Sequence, residues 1–121
     1  MEFSQLSQLA ADVVGAAQRQ LPPELRALAA GVNVHYDALP DPALIADGFE
    51  PDILGLFTGD PVGVESDMPL PPQIMLYLEN LWDFAEADVE LFRDEVRTTY
   101  LHELGHYFGW DEDDLAARGL D

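Results

Sequence analysis

Twenty-four aspartates and glutamates against five arginines, with no lysine, give this 121-residue chain a formal net charge of −19. Ionised carboxylates are costly to bury without partners, so the fold must keep them in a solvated acidic shell. The core must then come from the 48% of residues that are hydrophobic, which suffices for one domain of this length. A single domain over residues 1–121 is expected. Cysteine is absent. That excludes a disulfide scaffold, thiolate metal sites and a cysteine nucleophile, and leaves His, Asp and Glu as the strong metal ligands.

A surface of this sign repels nucleic acid and anionic membrane, so neither is expected as a partner. The longest uncharged run, Met68 to Leu78, has 11 residues with three prolines, well short of the roughly 20 apolar residues of a membrane span. Glu2 stands near the N-terminus and the first arginine is Arg19, unlike the basic start of a secretory signal. A cytoplasmic location is the expectation.

Apolar residues Leu6, Leu9, Val13, Ala16, Ala17 and Leu21 recur at helical spacing and predict a helix over about 4–20, with Ser4 or Ser7 as cap. Pro22 and Pro23 end it and open a short helical turn through Ala29. Alternation in Val32 to Tyr36 predicts a strand, and a Pro- and Asp-rich loop follows to Asp52. Ile53 to Phe57 predicts a second strand. A third is expected where Ile74, Leu76 and Leu78 face one way and Met75 and Tyr77 the other. Asp88 is placed to cap a long helix in which Val89, Phe92, Val96, Tyr100, Leu104 and Phe108 share a face, with Gly109 at its end. Asp111 and Gly119 bracket one more short helix, with Arg118 near its negative end.

Inside the long helix, His102, Glu103, Leu104, Gly105 and His106 spell HExxH. Histidines four apart lie one above the other on a helical face, so both imidazoles can reach one metal ion. Glu103 is turned about 100° from His102, which lets it act on water at the metal without being a ligand. In a chain with this His and Glu content, roughly 0.006 chance matches are expected, so accident is a poor explanation. A hydrolytic zinc site needs a third protein ligand and an open position. Gly109 lets the chain reverse, and the acidic run Asp111 to Asp114 follows. Glu112 is the first candidate ligand; Asp111, which also suits a helix cap, and His35 remain alternatives. The run lacks the alternating ligands and central glycine of a calcium loop.

The segment Glu95 to Leu115, with its HELGHYFGWDEDDL core, resembles the short bacterial zincin-like metallopeptidases. The resemblance extends more loosely to LPPEL at Leu21 to Leu25, to GLF at Gly55 to Phe57 and to the strand before the active helix. It implies an α+β minimal zincin-like fold: a small mixed β-sheet packed against an N-terminal helix and the HExxH helix. It also implies Zn2+ held by His102, His106 and a downstream carboxylate. Position 112 is Glu where the Asp-zincin pattern HExxHxxGxxD has Asp, and Met1, Met68 and Met75 all precede the motif, so a methionine turn is absent. Arg118 is the remaining candidate to stabilise an oxyanion, with Tyr107 and His35 as substitutes. The expected function is a zinc-dependent peptidase with Glu103 as general base, acting on a peptide or protein that pairs along an exposed edge at Ile53 to Phe57. The alternative is a non-catalytic metal-binding or protein-interaction module on the same fold.

Overall fold

The computed structural model describes residues 1–64 and 67–118. Among these, six helices and three strands follow in the order α1 (Phe3–Arg19), α2 (Pro23–Ala29), β1 (Asn33–Asp37), α3 (Pro42–Ala46), β2 (Gly55–Thr58), β3 (Gln73–Tyr77), α4 (Leu78–Phe84), α5 (Val89–Tyr107) and α6 (Glu112–Ala117). The α+β expectation holds, with a small mixed sheet packed against helices. No helix among the described residues is long and apolar enough to cross a membrane.

The sheet order is β1-β3-β2. β3 is central, pairing in parallel with β1 from Asn33↔Gln73 to Asp37↔Tyr77 and antiparallel with β2 from Gly55↔Leu76 to Thr58↔Gln73. Ile74 and Leu76 of β3 are fully buried. They meet the buried stripe of α5, Phe92, Val96, Tyr100 and Leu104, which also packs on Leu6, Ala10, Val13, Val14 and Ala17 of α1. Each fully buried large apolar side chain contributes roughly 1.5–3 kcal/mol. At this layer Gln18 Nε2 donates to the Tyr100 hydroxyl at 2.9 Å.

The structure corrects three sequence expectations. α1 begins at Phe3 behind Glu2, whose backbone amide donates to the Gln5 side chain at 3.0 Å; Ser4 and Ser7 lie inside the helix. The loop before Asp52 contains α3, where Asp41 accepts from the Ala43 amide at 2.8 Å and Pro42 occupies the first helical position. Leu78 does not extend β3 but starts α4, because Leu78, Leu81 and Ala85 bury at helical spacing against the core. Gly119, the expected end of α6, lies outside the described residues.

Candidate metal centre

α5 runs unbroken through the HExxH segment. Its start is fixed by Asp88, whose Oδ1 accepts from the Leu91 amide at 3.0 Å. Its end is closed by Gly109 at φ +80°, with Gly109 N–H donating to His106 O and Trp110 N–H to Gly105 O, both at 3.0 Å. This paired closure needs a left-handed residue, and glycine adopts it without strain. His102 and His106 therefore occupy the last two turns, where the helix dipole presents its negative end to a cation.

Within this frame, ligand atoms of His102, Glu103 and His106 all lie within 4.8 Å of one another. The imidazole centroids are 4.8 Å apart with planes at 84°. All three residues are half-buried, accessible to solvent while held by the helix beneath. Two imidazole nitrogens are donors that suit zinc, their spacing lets both rings address one ion, and the Glu103 carboxylate stands beside them.

The sheet reaches this group through a backbone contact. Tyr77 N–H donates to Leu54 O at 3.0 Å, so alternation along the antiparallel pair turns the amides of Gly55 and Phe57 away from β3. Phe57 N–H donates instead to Glu103 Oε1 at 3.0 Å. β2 must lie very close to α5 for this. A Cβ on Gly55 would stand 2.7 Å from Thr99 Cγ2 and 3.1 Å from Met75 O, so only glycine fits. Nothing in the sequence marks the Phe57 amide as part of the site, since a backbone donor has no sequence signature.

The other candidates are distributed differently. The Glu112 side chain lies outside the described part of the structure, although its backbone begins α6. Asp111 is engaged in a reciprocal cap: its Oδ1 accepts from Asp114 N–H at 2.8 Å, and its own N–H donates to Asp114 Oδ2 at 3.1 Å. His35 sits on β1, across β3 from the β2 edge, and is not in the metal-competent group among the described residues. Tyr107 stays near the site, its ring 5.9 Å from that of Phe57. Arg118 is drawn elsewhere. Its guanidinium stacks 4.0 Å over Trp110 and donates to Asp114 O at 3.2 Å, in a cavity shared with Leu21, Pro22 and Leu25. The cavity bordered by His102 and Glu103 has other walls.

Among known families, the one described as zincin-like metallopeptidase matches residues 29–120, a span that contains the whole sheet, α5 and the histidines. No curated protein matches.

Proposed function

The chain belongs to the zincin-like metallopeptidase family, and from that premise we propose that it is a zinc-dependent peptidase in which Glu103 is the general base. The observation that carries this reading is the convergence of His102, Glu103 and His106 on an unbroken helix, with Glu103 tethered to an edge strand. His102 and His106 would hold the metal, with Glu112 the proposed third ligand because Asp111 is committed to the α6 cap. When bound, zinc supplies the Lewis acidity that makes water nucleophilic near neutral pH and polarises the scissile carbonyl. Glu103 accepts a proton from the attacking water and delivers it to the leaving amine. The hydrogen bond from Phe57 N–H to Oε1 restrains the carboxylate beside the two histidines. An extended peptide pairs with the outward-facing backbone of β2, and the backbone groups of Gly55 lie on that free edge.

Zinc titration calorimetry combined with digestion of a broad peptide library, with and without chelator, tests the proposal. Chelator-sensitive cleavage is expected from the parent chain. Glu103→Gln should abolish cleavage and keep zinc affinity, whereas His102→Ala should remove both. Zinc binding without cleavage would favour the non-catalytic metal-binding module, and cleavage by Glu103→Gln at the parent rate would exclude Glu103 as base.

A further inference from the structure

Upstream of the metal residues, one partly exposed face of α5 forms the floor of a cavity of about 330 Å³. Its floor is Glu95, Thr98 and Thr99, leading to His102 and Glu103, and its wall is Ile53 to Gly55. Residues i, i+3 and i+7 share one helical face, so Glu95, Thr98 and His102 form a continuous stripe. Seven residues at 1.5 Å each place Glu95 about 10 Å from His102 along the axis. We propose that this cavity is the subsite for a lysine or arginine side chain of the substrate, with Glu95 as the residue that selects it. The inference rests on the peptidase reading and names the substrate class for the same site.

The lining favours a long side chain with an aliphatic stem and a cationic end. Half-buried Ile53 and Leu54 offer apolar surface to the stem. Beyond them, the Glu95 carboxylate offers a charge-assisted contact to the head. An apolar side chain would strip water from Glu95 and Thr98 without replacing its hydrogen bonds. An acidic one would meet Glu95 within a chain of net charge −19. Among the described residues, no hydrogen bond or ion pair already engages the Glu95 side chain. The two arginines nearest in sequence, Arg93 and Arg97, line a different groove with Ala16 and Gln20 of α1. Neither borders the cavity that Glu95 lines.

The test reads binding and cleavage separately. The zinc-loaded Glu103→Gln protein is titrated with labelled peptides identical except at one scanned position, which carries lysine, norleucine or glutamate. The parent protein digests a mixed peptide library with and without chelator. At one position lysine should bind about fivefold more tightly than norleucine, the effect of a partly exposed charge contact worth about 1 kcal/mol. Cleavage should be enriched for basic residues at the same position. Glu95→Gln should remove both preferences, and Glu95→Lys should reverse them toward glutamate, which a merely structural role for Glu95 would not produce. Chelator-sensitive cleavage without a basic preference overturns the subsite and leaves the peptidase intact. A Glu95-dependent lysine preference in binding, without cleavage, upholds the subsite and overturns the peptidase. Neither cleavage nor preference overturns both.

Discussion

Glu86 and Ala87, in the turn between α4 and α5, hold positive φ angles of 55° and 59°. Side chains disfavour that region because Cβ crowds the following carbonyl oxygen. The turn persists because Glu86 N–H reaches Asp83 O and Ala87 N–H reaches Trp82 O, closing α4 just before Asp88 caps α5. Ala87→Gly relieves the crowding, partly offset by the greater freedom of glycine in the unfolded chain, and should stabilise by about 0.5–1 kcal/mol. Urea unfolding measures it, and a lower midpoint would show that the crowding at Ala87 costs less than the added freedom of glycine. Glu103 couples structure to chemistry at this same scale. A glutamine there still accepts from Phe57 N–H, so Glu103→Gln should melt close to the parent. Glu103→Ala leaves that half-buried amide unpaired and should cost about 1 kcal/mol. Equal melting of the two variants would show that the Phe57 bond contributes nothing to stability.

At the level of elements, the approach of β2 to α5 decides whether the site is assembled. The 2.7 Å separation between a Gly55 Cβ and Thr99 Cγ2 is shorter than packed carbon atoms tolerate. Gly55→Ala must therefore push β2 outward and lengthen the Phe57 to Glu103 hydrogen bond. We expect a loss of about 1–3 kcal/mol, as for other overpacked cores. Part of the loss should return in Gly55→Ala/Thr99→Ser, where Cγ2 is gone. A double-mutant cycle from thermal melts with no coupling between the positions would refute the contact. α6 depends on its cap instead: Asp111→Ala removes the acceptor for Asp114 N–H and should lower stability by about 1 kcal/mol. Zinc titration beside these melts separates the two acids, because Glu112→Ala is expected to weaken zinc binding and Asp111→Ala to spare it.

Across the whole molecule, self-repulsion governs the electrostatics. With a net charge of −19 the folded chain concentrates like charge, and the Arg118 to Asp114 pair at 3.8 Å is an exposed contact that offsets little of it. Raising salt from about 0.02 M to about 0.5 M shortens the screening length several-fold and should raise the melting temperature by a few degrees. An unchanged or lower value would mean that the acids are locally compensated. Alkali should act in the opposite sense. Burial raises the pKa of Tyr36, Tyr77 and Tyr100, aided at Tyr36 by Tyr100 and at Tyr77 by Asp37 and Asp41; at Tyr100 the Gln18 hydrogen bond opposes the rise. Above the ordinary tyrosine value of about 10, the unfolded chain loses these protons before the folded chain does. Stability is thus fully present below about pH 10 and falls as pH rises through the higher folded values. Tyr100→Phe should blunt that fall in melts recorded across the alkaline range.

The helices and their chemistry are legible in the sequence because both follow from local spacing. Asp88, the apolar stripe from Phe92 to Leu104, and Gly109 delimit α5, and residues four apart on a helix share a face whatever surrounds them. The grouping of His102 and His106 is therefore set by sequence alone, as is the cap at Asp111. Leu78 reads as strand because two continuing apolar residues cannot show that the period changes from strand to helix until the later burial of Leu81 and Ala85 is known. Tertiary structure alone decided the strand order β1-β3-β2, which puts His35 beyond β3 from the β2 edge, and that Arg118 turns to Trp110. It alone brought the Phe57 amide to Glu103, 46 residues apart. Strand order and backbone donors depend on contacts between distant segments, and no residue type or local period encodes them.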